Sequence, residues 1–264
     1  MDVGDLSDRQ MMSLHEAPYD RRRRGRTSRT KERGKEAGAL EPIYLMTKAV
    51  VKTWLFVWFR WRLEGAENIP REGPAILAVN HIAYLDPFAA AYVVDHRRRR
   101  PRFLAKSELF QDRRIAWLLR GCGQIEVRRG TPTAPVALDH ALDALKRGEI
   151  VVVFPEGTIT DNPDLEPMEA KTGAARLALA SGVPLIPCAI WGTQNVWPKG
   201  FAKHWKPRQL ILVGVGAPLA VSGDAESPDA WAEAGGKLMS AIGHLLARLR
   251  PDLPDRRRPK RAAA

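Results

Sequence analysis

The stretch EIVVVFPEGT, residues 149–158, decides the fold of this chain. Its apolar part is a nearly continuous β-branched run, which is typical of a strand covered on both faces. Pro155 then removes a backbone donor and Gly157 permits a tight turn, so we expect the strand to end there. The stretch therefore predicts a central strand of a layered sheet, followed by a turn at the edge of that sheet.

Short apolar runs and helix-like segments alternate on both sides of this strand. Such alternation predicts an α/β fold, a single layered domain with a mostly parallel or mixed central sheet flanked by helices. The predicted strands are residues 74–80, 102–106, 123–127, 149–154, 184–190 and 209–216, and the predicted helices are residues 87–95, 108–120, 135–147, 172–180 and 230–249.

The two ends of the chain differ in composition from the middle. The 264 residues carry a formal net charge of +12, with arginine runs at 21–24 and 256–258. Both ends are poor in aromatic residues, so we predict disordered basic tails at residues 1–40 and 251–264 around a folded domain at residues 63–250. The runs are either solvated charge or contacts for anionic lipid or nucleic acid.

Cysteine and histidine usage excludes several classes of site. Cys122 and Cys188 are too few for a disulfide framework or a four-cysteine zinc site. The histidines outside the motif described below lack metal-ligand spacing, so no metal is expected. The N-terminus has no apolar core of the signal-peptide kind, so secretion is not expected.

Residues 41–62 are rich in aliphatic and tryptophan side chains, and we predict an amphipathic helix lying in a membrane interface. Lys48 and Lys52 share one helical face, which argues against a span across the bilayer. A helix buried in the protein's own core and a true transmembrane span are the alternatives. Tryptophan suits the headgroup layer, and the segment carries it at positions 54, 58 and 61.

A candidate catalytic pair follows the predicted strand 74–80. His81 leaves the end of this strand, and Asp86 lies five residues later, directly before Pro87. In a tight turn the carboxylate can accept from one imidazole nitrogen and leave the other basic, as general-base catalysis requires. The alternative is that His81 and Asn80 are turn residues and that Asp86 only caps a helix.

Two further motifs contain candidate ligand-binding residues. After strand 149–154, the main chain around Gly157 can form a concavity for an anion, beside the carboxylate of Glu156 and the hydroxyl of Thr158. Arg128 and Arg129 end a second predicted strand, where arginines suit bidentate phosphate recognition. A surface turn and solvated edge charges are the alternative interpretations.

Taken together and in this order, the motifs resemble the glycerophospholipid acyltransferase family, and within it the bacterial 1-acyl-sn-glycerol-3-phosphate acyltransferases. Asn80-His81 with Asp86 is similar to the family's NHxxxxD block, and residues 154–158 are identical to its FPEGT block. Residues 123–129 resemble its arginine-bearing block and residues 183–187 its proline-containing block. Two departures stand out: Arg128 replaces the usual Asp, and Ile159 the frequent Arg.

The resemblance implies an enzyme that moves a fatty acyl group from acyl-CoA or acyl carrier protein to the sn-2 hydroxyl of lysophosphatidic acid, giving phosphatidic acid. His81 and Asp86 would be catalytic. No bound cofactor is implied. The acceptor's phosphate region would be held by Arg129, with Arg128, Asn80, Glu156, Gly157 and Thr158 as further substrate-binding candidates.

A lipid acceptor places such an enzyme on a membrane surface. We expect a peripheral protein on the cytoplasmic face of the cell membrane, with no nucleic-acid partner. The alternatives are the same chemistry on glycerol-3-phosphate or another lyso-lipid, and a non-enzymatic adaptor that uses the arginine tails. Transfer through Cys122 ranks below direct transfer, because the sequence offers no base paired with it.

Overall fold

The computed structural model describes residues 27–127 and 134–252. Side chains are described for residues 42–127 and 137–252. The helices are α1 (Thr27–Trp58), α2 (Asp86–His96), α3 (Ser107–Gln111), α4 (Arg113–Gly121), α5 (Ala134–Lys146), α6 (Gly173–Ser181) and α7 (Pro228–Leu249). The strands are β1 (Phe59–Glu64), β2 (Ala75–Val79), β3 (Pro101–Lys106), β4 (Ile125–Val127), β5 (Ile150–Val153), β6 (Leu185–Trp191) and β7 (Gln209–Val215).

The strands of these described ranges form one seven-stranded sheet in the order β1-β7-β6-β2-β5-β3-β4. All neighbouring pairs are parallel except β6 and β7, which are antiparallel. The sheet is therefore mixed and mostly parallel, as the sequence predicts. Because β2 and β6 are parallel neighbours, their carboxyl ends meet at the same edge, which we call the active edge.

Both faces of the sheet are covered by helices. In β5, Ile150 and Val152 pack with α1 and α2, whereas Val151 and Val153 pack with α5, α6 and α7. All four side chains are at most 7% exposed. The β-branched run thus forms a doubly covered strand because its alternate side chains enter two different apolar layers.

The start of the described chain differs from the prediction. Helix α1 begins at Thr27, inside the segment predicted as a disordered tail, and ends at Trp58. Residues 59–62, predicted as the end of a membrane-interface helix, belong instead to strand β1, which pairs with β7. From Leu40 onward, α1 belongs to the compact unit that contains the sheet. No helix among the described residues combines the length and the apolarity needed to cross a membrane.

Two smaller differences concern the predicted helix 108–120 and the C-terminal tail. That helix is divided at Asp112, whose extended backbone ends α3 and whose side chain accepts from the Arg114 N–H at the start of α4. At the other end, residues 250–252 form a short 3-10 turn after α7. The remainder of the predicted tail and residues 1–26 lie outside the described residues.

Candidate active site

His81 and Asp86 lie together at the active edge, in the turn between β2 and α2. His81 Nδ1 is 2.9 Å from Asp86 Oδ2. The His81 side chain keeps 16% of its surface exposed, whereas that of Asp86 is fully buried. In the tautomer in which Nδ1 donates to this buried carboxylate, Nε2 keeps its lone pair, as a general base requires.

The Asp86 carboxylate accepts three more hydrogen bonds. Its Oδ2 atom accepts from the Ile82 N–H at 2.6 Å and the Ala83 N–H at 2.8 Å. Its Oδ1 atom accepts from the Thr193 hydroxyl at 2.6 Å. Asp86 is the first residue of α2, and its side chain folds back into the turn instead of capping the helix. The turn therefore fixes the carboxylate against the imidazole.

Asn80 was predicted to bind substrate, and the structure gives it a different role. Its side chain is fully buried. Its amide donates to the Ile190 carbonyl at 3.1 Å, and its Oδ1 accepts from the Ile190 N–H at 2.7 Å. Asn80 thus joins β2 to β6 beyond the end of their ladder, and its side chain does not reach the opening.

Glu156 was also predicted to bind substrate, but both of its oxygens are used within the protein. Oε1 accepts from the His81 N–H at 2.8 Å, and Oε2 accepts from the Met168 N–H at 2.9 Å. Burial raises the pKa of Glu156, while these two N–H donors act against that rise. Glu156 therefore positions the main chain of His81 from the neighbouring strand.

The other residues of the FPEGT motif surround the imidazole or the turn beside it. The Phe154 ring stacks on the His81 ring at 4.3 Å between centroids. Gly157 has a φ of +76°, which favours glycine, and its N–H donates to the Phe154 carbonyl at 2.9 Å. Thr158 is partly exposed next to it, so Gly157 and Thr158 remain substrate-binding candidates by position.

The predicted phosphate-binding residues Arg128 and Arg129 lie outside the described residues. The structure describes the chain that leads to them, up to the end of β4. Arg102 forms a two-pronged ion pair with Glu149, at 2.7 and 3.0 Å, and its Nη1 donates to the carbonyls of Cys122 and Gly123 at 3.1 Å each. This clamp ties the turn before β4 to the start of β5. It thereby fixes the strand that precedes both arginines.

A cavity of about 540 Å³ lies next to the turn that carries His81 and Asp86. It is lined by Ile82, by residues 160–163 and Leu165 and by residues 199–201. The Thr160 N–H donates to the His81 carbonyl at 2.7 Å, so the cavity wall is hydrogen-bonded directly to the main chain of His81. The space is large enough to hold part of a small ligand beside the turn that carries His81.

Neither cysteine fits a role as nucleophile. Cys122 and Cys188 are both buried, and burial raises the pKa of each thiol. A raised pKa keeps a thiol protonated and unreactive at neutral pH. The structure therefore favours direct transfer over a route through Cys122.

Sequence reasoning missed the side chains from distant parts of the chain that contact His81 and Asp86. Thr193 lies 107 residues after Asp86 in the chain, in a short 3-10 turn at the end of β6. The signal available was its place directly after a predicted strand and Gly192, at the edge where ligand sites gather. Phe154 belongs to the FPEGT motif, but the sequence did not predict that its ring stacks on the imidazole of His81.

Comparison with known proteins supports the resemblance that the motifs indicate. A sequence model described as Acyltransferase matches residues 60–191, half of the chain. This chain belongs to the acyltransferase family. A Bacillus subtilis member of the family, named 1-acyl-sn-glycerol-3-phosphate acyltransferase, is 30% identical over 167 residues, which are 63% of this chain and 77% of that protein. The family prediction is confirmed.

Plant members of the family carry the same name. The Brassica napus chloroplastic 1-acyl-sn-glycerol-3-phosphate acyltransferase is 28% identical over 171 residues, covering 61% of this chain and 48% of that protein. The chain thus spans about half the length of the plant acyltransferases it matches.

A solved member of the family confirms the predicted fold class. The crystal structure of the 1-acyl-sn-glycerophosphate (LPA) acyltransferase PlsC from Thermotoga maritima aligns with a TM-score of 0.56 at 27% identity. The alignment covers 81% of this chain and 82% of that chain.

Proposed function

We propose that this protein transfers a fatty acyl group from a thioester to the sn-2 hydroxyl of lysophosphatidic acid, giving phosphatidic acid for phospholipid biosynthesis. The observation that carries the proposal is the buried Asp86 carboxylate 2.9 Å from the partly exposed His81 imidazole. The names of the family members with similar sequences supply the substrates.

In the proposed mechanism, Nε2 of His81 accepts the proton of the acceptor hydroxyl as its oxygen attacks the thioester carbonyl carbon. Asp86 holds the imidazole in the required tautomer and stabilises the imidazolium that forms. The carbon–sulfur bond then breaks, and the imidazolium returns the proton to the departing thiolate. Proton transfer through a positioned base is typically worth about 10²–10⁴-fold in rate.

The acceptor's phosphate is assigned to the arginine block. Arg129, with Arg128 beside it, would pair with the phosphate, and the main chain at Gly157 and the Thr158 hydroxyl would lie near the glycerol backbone. The donor is acyl-CoA or acyl carrier protein, and no bound cofactor takes part. Arg129→Ala should mainly raise the KM for the acceptor, because it removes binding without touching the reacting atoms.

We place the protein peripherally on the cytoplasmic face of the cell membrane, and the exposed face of α1 supports the contact with a membrane surface. Lys48 and Lys52 lie on the side of the helix next to α2, where both pair with Asp95 at 2.6 Å, although the Lys52 side chain stays 53% exposed. The exposed face instead carries apolar side chains that are 55–70% exposed, as an interfacial helix requires: Leu45, Met46, Val50, Phe56 and Val57.

A panel of acceptors and donors tests the proposed function. The purified chain is assayed with lysophosphatidic acid, glycerol-3-phosphate and a lyso-lipid without a terminal phosphate, each with acyl-CoA and with acylated carrier protein. We expect the highest kcat/KM with lysophosphatidic acid. Preference for glycerol-3-phosphate would favour the alternative acceptor, and preference for the lyso-lipid without a terminal phosphate would contradict the role of the arginines.

A further inference from the structure

We infer that residues 197–208, here called the β6–β7 loop, are a second membrane-contact element that inserts aromatic side chains into the headgroup layer of an anionic bilayer. The inference extends the proposed function, because it states how the catalytic pair is held against its lipid acceptor. The biological reason for this membrane contact rests on the proposed function. The contact itself can be tested without acyl transfer.

The composition of the loop is that of an interfacial segment. Its sequence is WPKGFAKHWKPR, without an acidic residue. Residues 201–208 are all exposed, including Phe201 at 63% and Trp205 at 37%. Large aromatic side chains interleaved with lysine and arginine suit the boundary between headgroups and acyl chains.

The positive charge of the loop is available to a partner. Lys199 pairs with Asp161 at 2.5 Å, but among the described residues no carboxylate forms an ion pair with Lys203, Lys206 or Arg208. The Lys203 ammonium lies 4.3 Å from the centre of the Trp197 ring, at the exposed surface. Three cations beside two exposed rings match an anionic lipid surface in both charge and polarity.

The loop is attached to the turn that carries the catalytic pair. The Tyr84 N–H donates to the Trp197 carbonyl at 3.1 Å, and Ala83 forms a β-bridge with Pro198. Gly200 and Phe201 also line the cavity beside His81. Contact between the loop and a bilayer would therefore bring the mouth of the site to the lipid surface.

The loop also continues the apolar surface of α1. The Trp205 ring lies 5.8 Å from the Trp54 ring, and the Arg208 N–H donates to the Trp58 carbonyl at 2.6 Å. On its other side, Trp54 lines an open depression of about 550 Å³ on α1, together with Val50 and Val57. A continuous apolar surface from helix to loop favours a bilayer over a nucleic acid, which offers no comparable apolar plane.

A single fluorescent label tests insertion directly. In Phe201→Cys the new thiol is exposed, whereas Cys122 and Cys188 are 8% and 0% exposed, so an environment-sensitive maleimide dye reacts selectively at position 201. The labelled full-length chain is mixed with vesicles of phosphatidylglycerol and phosphatidylcholine, with or without spin-labelled lipid. The matched control carries the dye at Lys237→Cys, on α7, which packs against the opposite face of the sheet.

We expect a blue shift and quenching by spin-labelled lipid at position 201, and neither change at position 237. If the protein sediments with the vesicles while the dye at 201 stays aqueous, the loop proposal is wrong and docking through α1 stands. If the protein does not bind the vesicles, both membrane proposals fail, whereas acyl transfer is judged by its own assay. A shift produced by double-stranded DNA and not by vesicles would also overturn the inference.

Charge neutralisation supplies an independent measurement. The double variant Lys203→Gln with Lys206→Gln should weaken partitioning onto the anionic vesicles by about tenfold or more, since each cation near such a surface adds attraction. The control, Lys146→Gln with Lys237→Gln, removes the same charge from exposed positions on α5 and α7. Equal loss in the two double variants would show that only net charge matters, and would contradict a specific role for the loop.

Discussion

The Asp86 carboxylate receives hydrogen bonds from its own turn and from a distant one. The Ile82 and Ala83 N–H groups and the His81 ring are within five residues of it in sequence, whereas the Thr193 hydroxyl comes from the end of β6. With four donors around it, the carboxylate is held in one orientation. We infer that Thr193 is a positioning residue for the catalytic pair.

Replacing Thr193 tests this positioning role. Thr193→Val keeps the shape of the buried side chain and removes the hydroxyl, so we expect kcat to fall about tenfold with little change in the KM for the acceptor. Thr193→Ser retains the hydroxyl and should keep most of the activity. Steady-state kinetics of both variants provide the measurement, and similar kcat values for the two would contradict the positioning role.

The turn before the arginine block shows how one glycine permits a clamp to form. Gly123 has a φ of +66°, and a Cβ added there would lie 1.8 Å from Arg102 Nη1. Arg102 would then have to abandon its bonds to the turn and strain its pair with Glu149. The clamp, and with it the path of the chain into β4, depends on the absence of a side chain at this position.

Two glycine variants separate the clamp from backbone strain. Gly148 has a similar φ of +78° but open space around it, so Gly148→Ala should cost only about 1–2 kcal/mol for its left-handed backbone. Gly123→Ala should cost at least about 1 kcal/mol more, because Arg102 also loses hydrogen bonds. Urea unfolding measures both, and equal losses of stability would show that the clamp contributes nothing.

An ion-pair cluster attaches α1 to α2. Burial by itself would raise the pKa of Asp95, but hydrogen bonds from Lys48 and Lys52 outweigh it and lower that pKa. A carboxyl group whose pKa is lowered by folding stabilises the fold above its unfolded pKa, near 4. That stability is lost as the pH falls through the lower pKa of the folded state.

Asp95→Asn should therefore have a pH-dependent effect. At pH 7 we expect a loss of about 1 kcal/mol, limited by solvent screening of the two partly exposed lysines. The difference from the unmutated protein should shrink as the pH falls to 4 and below. Urea titrations at several pH values check this, with the exposed Glu67→Gln as control; a difference that did not change with pH would show that charge is not involved.

Over the whole molecule, the sequence predicted features that depend on residues close together in the chain. It missed features that depend on contacts between distant parts of the chain. The β-branched run of β5 and the spacing of His81 and Asp86 were sufficient because their partners follow from periodicity or lie within one turn. β1 was missed because residues 59–62 continue an apolar, aromatic segment without a helix breaker, and only pairing with β7 makes them a strand. Glu156 and Asn80 were assigned to substrate because their backbone partners come from other parts of the chain.

The pairing of Lys48 and Lys52 with Asp95 is a second result of tertiary structure. In the sequence, these lysines argue against a helix that spans the bilayer. In the structure they meet Asp95, and the neighbouring face of the helix is left apolar and exposed. The helix, the β6–β7 loop and the catalytic turn thus present one side of the molecule to the proposed membrane.

The rate of phosphatidic acid formation by His81→Ala tests the proposed mechanism most directly. Asp86 and Glu156 hold the surrounding main chain without the imidazole, so the variant should fold, and circular dichroism and urea unfolding check that it does. With lysophosphatidic acid and a thioester donor, we expect turnover to fall at least about a hundredfold, whereas the exposed His96→Ala should retain full activity. A folded His81→Ala protein that kept turnover within a few fold of the unmutated rate would contradict general-base catalysis by this residue.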